Sequence, residues 1–285
     1  MMIKSKLFNC RLGFAVALCL GGATANAETA FGKETLKARI GGYFSDFDTN
    51  INLSGPNNDS SVNLEDALGL DTSQTVVRGD LVWRIAPKHR IQLGFVDFQR
   101  DAVGEAERSF TVETKNGTYE FDAGARLKTE FDWRLIPLTY AYSFYKTDDL
   151  EVAGAIGVHW FDMDIGLTGD ATLTPPGGTP TPVSSTATGG AASGPLPVLG
   201  LSADYALSER WIIGAHAGWF GLDYDDISGE LIDLGLVTEY WFSDHFGAGL
   251  GYSYYAVDIT KSRGNFEVGA DYTYQGAEAY LTARF

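Results

Sequence analysis

The stretch Phe246-Gly-Ala-Gly-Leu-Gly-Tyr-Ser-Tyr254 decides the fold. Its period is two: Phe246, Ala248, Leu250, Tyr252 and Tyr254 share one side of an extended chain, and Gly247, Gly249, Gly251 and Ser253 share the other. A helix would spread the same residues around its circumference, so the segment reads as a strand with one apolar face and one small, polar face. The pattern recurs along the chain. Residues 231–242 set Ile232, Leu234, Leu236, Tyr240 and Phe242 against Asp233, Gly235 and Glu239. Residues 197–207 set Leu199, Leu201, Ala203, Tyr205 and Leu207 against Gly200, Ser202 and Asp204; residues 76–85 set Val77, Leu81, Trp83 and Ile85 against Arg78, Asp80 and Arg84.

A water-soluble sandwich also alternates, so the connections decide between it and a membrane barrel. Ala86-Pro-Lys-His89, Lys146-Thr-Asp-Asp149, Ser208-Glu-Arg210 and Ser243-Asp-His245 are tight turns, and long polar stretches lie between them near 48–74, 101–125, 168–195, 224–230 and 260–271. Short turns at one end and long loops at the other are the asymmetry of an outer-membrane barrel. They separate ten strands, near 35–47, 75–85, 89–100, 130–145, 150–166, 196–207, 211–223, 230–242, 246–259 and 272–285. An even count returns both termini to the periplasmic side.

The aromatic residues supply a ruler. Trp83, Tyr142, Phe144, Tyr205, Trp211, Tyr240, Phe242 and Phe246 gather near the short turns, and Trp160, Trp219 and Tyr254 near the far strand ends. The steps from Trp211 to Trp219 and from Phe246 to Tyr254 each cover roughly 26 Å of strand, or about 20 Å of height after tilting, against an apolar band of about 25 Å. The expected fold is all-β: a transmembrane antiparallel up-and-down β-barrel of ten strands, with eight and twelve as the alternatives. Twelve would need Ser109–Thr114 and Thr118–Phe121 to span, but these runs are short and carry Glu113 and Glu120; they read instead as a hairpin turning at Asn116-Gly117 above the membrane.

With 21 Lys and Arg against 37 Asp and Glu, and a formal charge of -16 over 285 residues, the chain lacks the basic surface that nucleic acid requires. No apolar run reaches the roughly 18 residues of a spanning helix. Residues 1–27 read as a signal peptide: basic Lys4, Lys6 and Arg11, an apolar run from Leu12 to Leu20, then Ala25-Asn26-Ala27, with cleavage before Glu28. Residues 28–285 then form the barrel domain. Cys10 and Cys19 both fall in the leader, where bulky Leu18 argues against lipidation of Cys19, so the rest of the chain has no disulfide or thiolate metal site.

The chain closes on Ala277-Glu-Ala-Tyr-Leu-Thr-Ala-Arg-Phe285, which resembles the C-terminal strand of bacterial outer-membrane proteins, whose final aromatic is implicated in recognition by the barrel-assembly machinery. Leu64-Glu-Asp-Ala-Leu-Gly-Leu70, Phe220-Gly-Leu-Asp-Tyr-Asp-Asp226 and Asp244-His-Phe-Gly-Ala-Gly-Leu-Gly-Tyr252 are similar to stretches in proteobacterial outer-membrane barrels of unassigned function. That resemblance implies a fold, an outer-membrane location and assembly through Phe285, and it implies no activity.

Two loops carry local signals. Residues 168–195, including Thr174-Pro-Pro-Gly-Gly-Thr-Pro-Thr-Pro182, offer little apolar surface and read as a flexible outer loop. Asn63 is placed to cap a one-turn helix through Leu68 with Gly69 as its stop, which would pack Leu64 and Leu68 over the barrel mouth; an ordinary loop turn is the equal alternative.

Parity puts Arg39, Arg78, Asp80, Arg84, Glu151, His159, Asp204, His216, Asp233, Glu239, Glu278 and Arg284 inside. The expectation is a polar, paired interior that closes the pore; a selective path for a small solute is the alternative. His89 and His245 lie in short turns and read as solvated. His159 and His216 face inward, and would meet Ser202 or Glu239 if the register allows. No spacing matches outer-membrane lipid deacylases or proteases, so no catalytic, cofactor or metal residue is assigned. Asp223, Asp225, Asp226 and Glu230 read as a solvated acidic edge, with divalent bridging to lipopolysaccharide as the sharper idea. The functional expectation is a monomeric, non-enzymatic barrel with a structural or surface-interaction role, in contact with lipid and lipopolysaccharide. A narrow channel or transporter is the alternative, and a lipid or peptide hydrolase the less favoured one.

Overall fold

The structure, a computed structural model, describes residues 34–54, 59–106, 109–114, 117–224, 227–263 and 266–285. The signal peptide with Cys10 and Cys19, and also Asn116, Asp225 and Asp226, lie outside the described residues. Along the chain run β1 (Leu36–Ser54), β2 (Asp59–Asn63), α1 (Leu64–Leu68), β3 (Ser73–Ala86), β4 (His89–Glu105), β5 (Phe110–Thr114), β6 (Gly117–Phe121), β7 (Arg126–Lys146), β8 (Leu150–Thr174), β9 (Thr181–Ser208), β10 (Trp211–Tyr224), β11 (Ile227–Trp241), β12 (Phe246–Arg263) and β13 (Phe266–Arg284). Ten of the strands form the wall, in the order β1-β3-β4-β7-β8-β9-β10-β11-β12-β13, every neighbour antiparallel. β1 closes on β13 from Lys37↔Arg284 to Ser54↔Glu267. The expected ten strands are present, each reaching further toward the long-loop end than its sequence pattern suggested. Among the described residues no helix is long and apolar enough to cross a membrane.

The outside of the wall carries Ile40, Leu81, Leu93, Leu138, Ile156, Leu199, Leu201, Leu236, Leu250 and Leu281, all exposed. Trp83, Phe144, Trp211, Phe242 and Phe246 rim this surface near the short turns, and Trp160 and Trp219 rim it on the far side. A water-soluble protein seldom exposes a continuous apolar patch beyond a few hundred Å², whereas this belt circles the molecule, so its solvent is lipid.

Toward the long-loop end the apolar face changes sides. On β7 the outward residues Ile136, Leu138, Tyr140, Tyr142 and Phe144 give way to outward Arg134, Asp132, Glu130 and Lys128, while Leu135, Trp133, Phe131 and Leu127 turn inward and are buried. The switch falls between Phe95 and Val96 on β4 and between Trp160 and Phe161 on β8, and it lies level across the three strands because Val96 pairs with Leu135 and Leu135 with Phe161. Below this level the barrel is apolar outside and charged inside, as lipid demands. Above it, the barrel is polar outside and apolar inside, as water demands. The interior is thus not polar throughout, as expected from sequence: its outer storey is an aromatic core of Tyr43, Phe47, Phe98, Phe131, Trp133 and Tyr272, with Trp133 stacked on Phe161 at 5.4 Å and 4.5 Å from the Tyr272 ring.

The one-turn helix forms as its caps direct. Asn63 Oδ1 accepts from the Asp66 amide at 2.8 Å, and Gly69 ends the turn at φ 71°, a left-handed conformation suited to glycine. Leu64 and Leu68 are buried in the aromatic core, so α1 plugs the mouth.

Residues 168–195 correct the expectation of a flexible loop. β8 and β9 continue as a paired hairpin to Leu173↔Thr181. Backbone hydrogen bonds need no apolar side chain, so Thr, Ser, Ala and Gly suffice to hold the ladder. β5 and β6 form the expected hairpin, and β6 adds to the far end of β8 through Thr118↔Thr174, Tyr119↔Leu173 and Glu120↔Thr172.

Candidate functional site

The charged lower storey encloses a cavity of about 190 Å³. Every side chain expected inside from parity lies inside; Arg90, Lys37 and Arg100 join them, having been missed because β4 and the start of β1 were not assigned by face. Period two on those strands was the available signal: Arg90 and Arg100 share the parity of Val96 and Phe98.

The bottom tier is a set of ion pairs. Arg84 donates to both oxygens of fully buried Glu151 at 2.9 and 3.0 Å, and Ser143 donates to the same carboxylate. Lys146 approaches Glu151 at 3.7 Å from beside the turn. Arg90 donates to Asp204 at 2.9 Å and to Ser202 Oγ at 3.4 Å. On the opposite wall Arg39 Nε donates to Glu239 Oε1 at 2.7 Å, with Lys37 Nζ 3.4 Å from the other oxygen and the Tyr280 hydroxyl donating at 3.3 Å. Two-oxygen and forked pairs of this kind fix geometry as well as charge. At the mouth, Arg284 lies over the Trp241 ring at 4.1 Å.

A second tier sits higher. Arg78 is 3.5 Å from Asp80 and 3.7 Å from Glu278, and it donates to Ser253 Oγ at 3.3 Å. His216 Nε2 is 3.3 Å from Asp233 Oδ1. His159 is buried and stacks on Tyr255 at 5.9 Å. Glycines make the room: a Cβ at Gly251 would come 2.5 Å from Glu278 Oε1, and one at Gly249 would come 2.4 Å from the Tyr280 ring. The small, polar face of 246–254 is therefore the space those large inward groups of β13 occupy.

The register brings Ser202 opposite His216, but Ser202 Oγ accepts from Arg90 and His216 turns to Asp233. His159 faces Pro137 and Leu196 across the wall, and Glu239 belongs to the Arg39 and Lys37 group on another strand. The turn histidines are partnered rather than simply solvated: His89 Nδ1 lies 2.6 Å from Tyr140 Oη, and His245 Nδ1 lies 3.1 Å from Arg284 O, with its ring stacked on Phe285. Glu230 accepts from Trp219 Nε1 at 3.4 Å. No group of three metal-ligating side chains occurs among the described residues.

The upper storey holds one more ion pair. Arg100, buried over the Phe47 and Phe131 rings at 4.3 and 4.8 Å, donates to Glu65 Oε1 of α1 at 2.6 Å and to Thr49 Oγ1 at 2.8 Å. The Thr49 amide and hydroxyl both donate to Glu65, at 2.9 and 2.8 Å. This pair ties the plug helix to the wall.

No protein-family model matches the chain, and no curated protein matches it. Among solved structures it is similar to the outer membrane protease OmpT from Escherichia coli, at 11% identity and a TM-score of 0.56, covering 89% of this chain and 97% of that one. Looser matches are the toluene transporter TodX of P. putida, at 9% identity and a TM-score of 0.36 with 92% of this chain and 95% of that chain covered, and the attachment invasion locus protein Ail of Yersinia pestis, at 8% identity and 0.28 with 85% and 97% covered. The chain has the closed antiparallel fold of bacterial outer-membrane β-barrel proteins.

Proposed function

We propose that this is a sealed outer-membrane barrel with a structural or surface-interaction role, without enzymatic activity and without a through-channel. The observation that carries this reading is the aromatic core across the long-loop end, where Tyr43, Phe98, Phe131 and Trp133 are each no more than 1% exposed and α1 packs over them. A solute crossing the wall would have to pass through packed side chains. The paired β8 and β9 arm continues to Leu173, twelve residues beyond Phe161 and about 40 Å of strand, and gives the molecule a polar outer surface far from lipid. In this reading the signal peptide 1–27 is removed, both termini are periplasmic, Phe285 engages the assembly machinery, and the protein works as a monomer whose outward acids meet lipopolysaccharide and its divalent ions. Ser202 Oγ accepts from Arg90 below the aromatic core, and the imidazole opposite it, His216, is turned to Asp233, an arrangement that supports the non-enzymatic reading.

Planar-bilayer recording of the refolded protein tests the seal: it should give no unit conductance, and a variant lacking residues 59–71 should leak. Steady channels from the unaltered protein would overturn the reading. So would recovery of the mature chain in the soluble periplasmic extract, or release of lipid or peptide products that the empty membrane does not give.

A further inference from the structure

We propose that the lumen cavity is a binding site for a small organic cation bearing a primary amine, which enters from the short-turn end. The side of entry rests on the sealed reading above; the binding chemistry does not. In the bottom tier Lys37, Arg39, Arg84, Arg90 and Lys146 meet Glu34, Glu151, Glu239 and Asp204, so each of these carboxylates has a cation within 4 Å. The second tier has no such balance. Among the described residues the ion pairs of its three carboxylates, Asp80, Asp233 and Glu278, are Arg78 at 3.5 Å from Asp80 and 3.7 Å from Glu278, and the His216 imidazole at 3.3 Å from Asp233. Carboxylates held away from bulk water without full partners are costly, and a cation placed among them relieves that cost.

Two further observations point to an organic cation rather than a bare ion. The cavity continues into a smaller chamber lined by Arg78, Asp80, His159, Asp233, Tyr255 and Tyr274, where the buried Tyr255 hydroxyl has no hydrogen-bond partner among the described residues and adds an acceptor for an ammonium beside the carboxylates. His159, 3% exposed, lines both chambers, and its Nδ1 has no hydrogen-bond partner among the described residues, which leaves one polar position for a ligand atom. The size also fits: a cavity of about 150 Å³ holds a benzene molecule, and this one is larger. No cluster of metal ligands accompanies it among the described residues.

The test uses the refolded full barrel in detergent, titrated with putrescine, with 1,4-butanediol as the neutral shape control and calcium chloride as the inorganic one. Putrescine should raise the unfolding midpoint by several degrees and give a saturable calorimetric signal, while the diol and calcium do nothing. Asp80→Asn and Asp233→Asn should each weaken binding at least tenfold, and Asp101→Asn on the outer surface should leave it unchanged. Because the lumen variants can fail to fold, a second measurement uses the unaltered protein: carbodiimide labelling of Asp80, Asp233 and Glu278, read by mass spectrometry, should slow in putrescine and not in the diol. Equal effects of calcium or the diol, or no response to putrescine, overturn the proposal. A barrel that conducts yet binds putrescine refutes the seal alone, and a silent barrel that ignores putrescine refutes the site alone.

Discussion

Arg100 places a full charge among Phe47, Phe131 and Tyr272, and it is tolerated there because Glu65, Thr49 and the Asp71 carbonyl accept from its Nη1 and Nη2. Removing one member of such a buried pair strands the other, at about 3–5 kcal/mol, whereas removing both can be nearly neutral. Arg100→Met should therefore lower the urea midpoint of the refolded barrel sharply, and Arg100→Met combined with Glu65→Leu should recover most of the loss. A single variant as stable as the parent would show that the pair does not hold the plug. Half of this pair was legible: Asn63, Leu64, Leu68 and Gly69 announce the helix through local capping chemistry. Its partner was not, because β4 was not assigned by face: its inward residues are charged at Arg90 and Arg100 and apolar at Val96 and Phe98, so no single residue class marks its lumen side.

At the scale of elements, the wall strands were legible wherever lipid lies on one side and charge on the other, since that contrast produces clean alternation. The β8 and β9 arm was not, because it is built mostly of Thr, Ser, Ala and Gly, and the few apolar residues that pack on the core, Leu167, Ala171, Leu173 and Val183, are too sparse to set a period; backbone pairing defines it. That reliance on backbone pairing gives an expected outcome. Replacing residues 171–184 with a short Gly-Ser turn removes the arm's tip and three ladder pairs with β6, and touches none of the wall below Gly169↔Thr186. The yield of heat-modifiable barrel should stay within about twofold of the parent, while protease accessibility on intact cells changes at that end. A collapse in yield would mean that the arm guides assembly. The lumen site was legible in its membership and not in its grouping: parity names Asp80, Asp233 and Glu278, but only the register sets them around Arg78.

For the whole molecule, closure depends on β1 meeting β13, the one wall contact not made between strands consecutive around the chain. The Phe285 carbonyl accepts from the Thr35 and Leu36 amides at 2.6 and 3.0 Å, and the Phe285 amide donates to Leu36 O at 2.9 Å. Deleting Phe285 cuts all three bonds at the closing point and removes an aromatic from the lower girdle. Outer-membrane fractions should then contain little assembled barrel, with degraded chain in the periplasm; normal surface levels would contradict this. The seam has a further consequence. With residue 35 hydrogen-bonded to residue 285, the polypeptide is almost cyclic, and each short turn is a place where the ring could equally have been cut. The hydrogen bonding of the wall does not fix where the ring is opened, and a circular permutant joined from residue 285 to residue 35 and opened at Thr147–Asp149 would, refolded in detergent, enclose the same lumen.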